Sequence, residues 1–463
     1  MRVEGEYKKS GYFWLPDRDD EKIPGILTVQ DGGQVELEIV GLFDNSITAF
    51  SRGNELERII GHVEEDGLVT LDNCFYMKKN FALIGISKSK ISVDRMFVGV
   101  GLGKGKKVEF NSFRFSADCL DKWVGISGID TCVDFQNHKL SIQYKLPETI
   151  NFSLDNGMTL NIAFKYIGPH FGDKAEAKIA EQVYLELRSG ELREFSEFSM
   201  IAFKLTSLLC FAMNRTVSLK NVSAISSQIQ RRDGSGNECP VSIAIYYQSN
   251  PYAVKSPSIN RHDMLFDFIS VKDNAEKIFN NWIAAYDHLS PVLGLYFSAK
   301  TDAHKYLDGR FLALVQGLET YHRRTSDVTR IRQKDYDSLV CIIMDLCPKH
   351  HSDWLAGQLK YGNEISLRQR LKTLTDPFKG HLGPHKDRSK LISKIVFTRN
   401  YLTHYTEDLQ SLASAGRELW ILCLKMEVIF SLLFLEVIGF TDDEISSVLK
   451  SCSSLKQKLS ISL

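Results

Sequence analysis

No apolar run occupies the N-terminal residues M-R-V-E-G-E-Y-K-K-S. A secretion signal is built around one, so an unprocessed, cytoplasmic protein is expected. Neither charge is in excess, because 57 basic residues balance 57 acidic ones. That balance excludes a global positive field for nucleic acid and leaves only a local basic patch. The nine cysteines include no paired spacing; they suit a reducing compartment and read as small buried hydrophobes rather than a disulfide framework. Internal repeats and low-complexity linkers are also missing, which excludes solenoids and flexibly strung modules. One apolar stretch, Leu419 to Phe440, is long enough for a bilayer but holds Lys425, Glu427 and Glu436. Central charges are costly in lipid, so a buried bundle helix is expected there.

What is present is a chain of 463 residues, 43% hydrophobic and 25% charged, that should fold throughout as two or three domains. Strand signals dominate up to about residue 170: Ile26 to Val29, Val35 to Val40, Leu68 to Leu71, Phe81 to Ile86, Arg95 to Val100, Lys107 to Phe115 and Met158 to Tyr166. Turn residues such as Asp31-Gly32-Gly33 and Asn156-Gly157 separate them. Signals then mix, with strands at Val183 to Leu187, Val217 to Ile225 and Val241 to Gln248 and a helix at Phe195 to Met213. The loop R-R-D-G-S-G-N-E separates the last two strands. After about residue 274 only helices are expected, at 274–290, 303–324, 335–346, 364–374, 387–405 and 411–438, with a short one after Thr441. The fold class is therefore α+β and multidomain: an antiparallel β-rich region over 1–150, a mixed α/β continuation over 151–290 and an all-helical domain over 291–455, with a soft boundary near Ser290-Pro291.

Three constellations invite functional readings that their context weakens. G-V-G-L-G-K-G-K-K, residues 99–107, lacks the hydroxyl and following helix of a phosphate loop, since Lys107 stands where Ser or Thr belongs; it reads as a basic hairpin turn. Cys347, His350 and His351, with His381 and His385 further on, gather ligand types, but only one cysteine is present and the second arm is a Gly-Pro loop. Surface and loop histidines are the expectation there. Asp302-Ala303-His304 reads as a helix N-cap. Glu319 is different, because it continues the apolar stripe Leu312, Val315 of its helix. Either it pairs with Arg323 one turn on, or it is a partly buried carboxylate aimed at a basic residue on another helix.

V-F-T-R-N-Y-L-T-H-Y, residues 396–405, places Arg399, Asn400 and His404 near the end of a helix whose Leu391, Ile392, Ile395, Val396 and Leu402 are apolar. Of the twelve histidines only His404 has an arginine five to seven residues before it. Asn400 and His404 stand at i and i+4 and share a face, so the amide can hold the imidazole in one tautomer. Arg399 lies about 140° round an ideal helix from His404. An imidazole can take a proton from a ribose 2′-OH or give one to a departing 5′-oxygen. A guanidinium can hold the phosphate bidentately. This chemistry cleaves RNA, uses the 2′-OH as nucleophile, needs no metal or other cofactor, and leaves DNA uncut.

R-N-Y-L-T-H at a helix end in a helical C-terminal domain resembles the R-x(4-6)-H signature of HEPN ribonucleases. S-G-Y-F-W-L-P at 10–16, I-P-G-I-L-T-V at 23–29, L-E-I-V-G-L-F at 37–43 and F-R-F-S-A-D-C-L-D-K-W at 113–123 resemble the N-terminal domain of ApeA-type bacterial anti-phage proteins, which pair it with a C-terminal HEPN domain. The resemblance implies a metal-independent endoribonuclease of abortive infection, with transfer RNA as substrate, 2′,3′-cyclic phosphate ends as product and an unknown phage-derived trigger. It also implies a homodimer through the HEPN domain. Carried to this chain, Arg399 and His404 form the catalytic pair, Asn400 supports them and Glu319 orients Arg399. Tyr405 and Tyr401 are the aromatics placed to stack on a base or to pack in the core. The rival reading is a non-catalytic HEPN-fold module that dimerises or binds a partner.

Overall fold

The computed structural model describes residues 1–43, 53–80, 86–168, 178–232, 236–301 and 304–463, and the chain divides into two units, Met1–Asn280 and Asn281–Leu463. Unit 1 begins with six antiparallel strands, β1 (Tyr7–Trp14), β2 (Ile23–Val29), β3 (Val35–Ile39), β4 (Glu55–Val63), β5 (Gly67–Asn80) and β6 (Lys88–Val98). Their order is β6-β3-β2-β1-β4-β5, and β5 pairs back onto β6, so the sheet closes into a barrel without a free edge. Period-2 alternation sends Phe13, Leu27, Val35, Leu37, Ile59, Val69, Leu71 and Ile91 inward, all fully buried. Phe13 pairs with Gly61, where an added Cβ would stand 2.6 Å from the phenyl ring, so only glycine admits that ring.

The long strand β6 has two partners along one edge. Ser89 to Val93 pair with β3 and complete the barrel, while Arg95 to Val98 pair with a strand from much later in the chain. The sheet continues that way through β7 (Glu109–Ala117), α1 (Leu120–Val124), a separate hairpin β8 (Ile129–Asp134) and β9 (Lys139–Tyr144), then β10 (Ile150–Ser153), β11 (Thr159–Ile167), β12 (Ala180–Glu194), α2 (Phe195–Ala212), β13 (Leu219–Ile225), a second hairpin β14 (Gln230–Arg232) and β15 (Glu238–Pro240), and β16 (Ile243–Tyr247). Its order beyond β6 is β16-β13-β7-β12-β11-β10. One sheet thus uses strands from both sides of residue 150. Phe198 of α2 stacks on Phe113 of β7 at 5.9 Å, which fixes the helix to the sheet. Among the described residues α2 is the one helix long and apolar enough to cross a membrane, and most of it is buried inside the fold.

α3 (Phe268–Val271) and α4 (Ala275–Lys300) follow, and the division between units falls within α4. The helix expected to stop at Ser290 runs on through Pro291. Leu289, Val292, Leu293 and Tyr296 are all buried there, and that packing outweighs the lost proline N–H. Unit 2 adds α5 (Leu307–Thr325), α6 (Gln333–Asp345), α7 (Ser352–Leu359), α8 (Leu367–Thr375), α9 (Lys379–Leu382), α10 (His385–His404), α11 (Glu407–Gln410), α12 (Gly416–Val437), α13 (Asp442–Ser451) and α14 (Ser453–Ser460). α12 is its central helix: Leu422, Met426, Phe430 and Leu433 are all buried. Gly317 of α5 lets it approach closely, since a Cβ there would lie 2.8 Å from the Phe430 ring. Glu427, in the apolar stretch of α12, is held by Arg310 of α5 and by Lys458 of α14.

Sequence expectations also change at residues 99–107 and at the cysteines, and others fall outside the described residues. Residues 99–107 join β6 to β7, which do not pair with each other, so they form a crossing loop and not a hairpin turn. Arg58, paired with Asp72, donates to the carbonyls of Gly103 and Lys106, and Lys104 and Lys107 are spent on Asp17 and Glu194. All nine cysteines are unpaired, but only Cys74, Cys210, Cys423 and Cys452 are buried. Five of the six residues of the expected strand Phe81 to Ile86, and the Asp302-Ala303 cap, lie outside the described residues, as does the middle of the 231–238 loop. α5 starts at Leu307 with no side-chain cap on Tyr306.

Candidate active site

α10 is anchored by Leu391, Ile392, Ile395 and Thr398, all buried, and the Thr398 hydroxyl accepts from the Ser414 amide at 2.9 Å. The helix ends because Tyr405 turns left-handed, at φ 52°, and returns its N–H to the Tyr401 carbonyl at 2.7 Å. A non-glycine residue in that conformation is strained by roughly 1 kcal/mol, yet it stops the helix immediately after His404. His404 is therefore exposed on the last turn, and among the described residues its side chain makes no hydrogen bond or ion pair. The Tyr401 and Tyr405 rings meet edge to face at 5.4 Å, and Tyr405 is 65% exposed.

Arg399 is held on one side only. Its Nη1 donates to the Asn400 side-chain oxygen at 3.3 Å, and its Nη2 lies 3.9 Å from Oε2 of Glu319 on α5. The two readings of Glu319 are both realised, one on each oxygen, because Oε1 receives Arg323 at 3.2 Å. The expected Asn400 to His404 contact is not formed. The charged guanidinium next door takes the amide oxygen instead.

Behind Glu319 runs a chain of charges within unit 2 that the sequence reading did not assemble. Arg323 also reaches Glu364 at 2.6 Å, which receives Arg370 of α8 at 3.1 Å. Nη1 of Arg370 in turn approaches Nδ1 of the fully buried His322 at 3.3 Å. Guanidinium only donates, so Nδ1 must accept and His322 is the neutral tautomer carrying its proton on Nε2. That Nε2 is buried without a partner. Burial first, and then Arg370 and Arg323, push the His322 pKa down, while Arg323 chiefly holds Glu364 below the usual carboxylate range. One signal was present in the sequence: in L-R-Q-R-L-K-T-L, Arg370 stands on the buried stripe with Leu371 and Leu374, where a charge calls for a partner.

The other gathered ligand types do not converge. His350 and His351 face each other at 4.0 Å, His381 bonds Asp442 at 2.9 Å, and among the described residues no group of three or more His, Cys, Asp or Glu side chains could hold a metal ion. What the end of α10 can do chemically is offer a guanidinium, fixed from behind by a carboxylate and 35% exposed, near an imidazole open to solvent. Comparison with protein-family models matches ApeA N-terminal domain 1 to residues 8–282 and an Apea-like HEPN domain to residues 312–444. No curated protein and no solved structure matches the chain.

Proposed function

Because the chain belongs to the ApeA family and carries its HEPN domain, we propose that it is an endoribonuclease of bacterial anti-phage defence, acting from the end of α10. Arg399 binds the scissile phosphate and stabilises its developing charge. His404 exchanges protons with the 2′-OH and the leaving 5′-oxygen, a step that needs no metal and leaves a 2′,3′-cyclic phosphate. Glu319 keeps the guanidinium aimed outward, and Asn400 steadies it. Tyr405 offers an exposed ring for a base. Transfer RNA is the substrate, the protein works in the cytoplasm, and two HEPN domains face each other to complete the cleft.

The observation that carries this reading is the contrast within the pair: Arg399 lies against Glu319, whereas the His404 side chain has no partner among the described residues and faces solvent. In the rival scaffold Arg399 and His404 satisfy each other or a neighbouring carboxylate; Arg399 does meet Glu319, so what favours the nuclease is the open His404. The test is to express the wild type and His404→Ala under tight control and sequence cellular RNA ends with and without infection. New transfer-RNA termini with the wild type alone are expected. Identical termini from both chains, or none from either under infection, would sink the nuclease reading.

A further inference from the structure

The chain as a whole is neutral, yet α8 and α10 each carry more basic than acidic residues. α8 carries Arg368, Arg370 and Lys372 and no carboxylate, and the only carboxylate within α10 is Asp387. Between the two helices lies a cleft of about 190 Å³ lined by Arg368, Lys372, His385, Arg388, Ser389 and Ile392, with one carboxylate, Asp376, among its walls. That volume is below the roughly 300–1,000 Å³ of pockets that enclose whole small molecules, so it suits a charged group on a longer ligand. Arg388 already has Asp376, at 3.7 Å. Lys372 and His385 are exposed, and among the described residues their side chains make no ion pair or hydrogen bond.

Helical spacing connects this cleft to the end of α10. Ser389, Ser393, Phe397, Asn400 and His404 recur at three- and four-residue intervals and share one face. Arg368 reaches across from α8 onto that face, donating to Ser393 at 2.7 Å and lying 5.8 Å over the Phe397 ring. Its guanidinium is thus positioned before any ligand arrives, about two helical turns, or roughly 10 Å, from Arg399.

We propose that the α8–α10 cleft is a phosphate track, in which Arg368 and Lys372, supported by His385, hold the backbone of the RNA strand whose scissile phosphate sits at Arg399. This rests on the ribonuclease reading for the identity of the strand and not for the track itself. Cation contacts to phosphates give affinity without sequence choice and with a strong salt dependence.

The experiment measures binding of the full-length His404→Ala chain, which leaves RNA intact, to a fluorescein-labelled single-stranded oligoribonucleotide over a series of salt concentrations. Adding Arg368→Gln and Lys372→Gln, both exposed positions, is expected to weaken binding at least tenfold. The dependence of log affinity on log salt should become shallower by about 1.4, two contacts at about 0.7 each for a single strand. Single-stranded DNA of the same sequence should lose affinity by the same factor, since the track reads phosphates; a loss confined to RNA overturns the phosphate assignment. Unchanged affinity and slope, or no binding by the parent chain, also overturns it. The two readings fail separately: RNA ends unchanged by His404→Ala defeat catalysis and leave the binding comparison standing, while unaltered binding defeats the track and leaves cleavage standing.

Discussion

Both ends of α5 meet a carboxylate, and the two meetings differ. At its start Arg310 engages Glu427, whose side chain is 3% exposed and which Lys458 also holds at 2.6 Å. At its end α5 supplies the carboxylate itself: Glu319 is 23% exposed and divides its oxygens between Arg323 at 3.2 Å and Arg399 at 3.9 Å. In the first cluster burial pushes the Glu427 pKa up, but Lys458, Lys300 and Arg310 outweigh it and the net shift is down. A carboxylate enclosed by its cations has nothing left to offer a ligand, and its role is to let a charge sit in the core of unit 2. A carboxylate that holds one cation on a single side orients that guanidinium and leaves its exposed face open to a phosphate. The difference lies in closure, not in residue type.

The largest effect that would break this contrast is on stability. Arg310→Ala leaves Glu427 buried with one cation fewer, and removal of a partner from a buried ion cluster is strongly destabilising. Because Lys458 remains, a cost of about 2 kcal/mol is expected, a lowering of roughly 4–8 °C in the melting of unit 2. Thermal unfolding followed by circular dichroism measures it, and a shift under one degree would mean that the cluster is no more closed than the one at Glu319.

A smaller effect sharpens the other side. Glu319→Gln keeps the shape of the side chain and removes the charge that orients Arg399. Cleavage should fall about tenfold, equivalent to about 1.4 kcal/mol at the transition state, with melting nearly unchanged because exposed pairs contribute little to stability. Restoration by Glu319→Asp in part, but not by Gln, would mark a positioning role. If Glu319→Gln cleaves as fast as the wild type, Arg399 is oriented by something else.

How much of this was legible in the sequence depends on the range over which each feature is decided. The helices of unit 2 follow local periodicity, so α5, α8, α10 and α12 lie close to where the apolar stripes put them. The strands of unit 1 were legible as strands, but closure was not. It depends on β6 pairing with β3 and β5 on its two edges, and the same strand carries the sheet onward to β16, a pairing between residues almost 150 positions apart that no local pattern encodes. Continuation of α4 through Pro291 was hidden for the same reason, since a proline signals a stop locally and only tertiary packing overrides it. At the site, the stripe through Leu312 and Val315 pointed to Glu319, and the structure brings it to Arg399. The Asn400 to His404 contact was inferred from spacing, yet proximity on a helix face does not decide between two partners when one of them is charged. Arg370 was visible as a charge on a core stripe, but its partner His322 lies 48 residues earlier on another helix.

The smallest effect concerns that buried pair. His322 is fully buried and neutral, with its pKa lowered by burial and by Arg370 and Arg323. The unfolded chain takes up a proton below the ordinary histidine value of about 6.5, and the folded chain resists doing so. Protons therefore bind more to the unfolded state, so this residue's share of stability is present above about pH 6.5 and declines as the pH falls below it. His322→Gln preserves an acceptor for Arg370 and cannot titrate. It should flatten the loss of stability between about pH 6.5 and 5, measured as denaturant midpoints at several pH values. If the variant loses stability over that range as steeply as the wild type, the decline originates elsewhere. The Arg370 to His322 contact would then be a rigid support for Glu364 without any titration of its own.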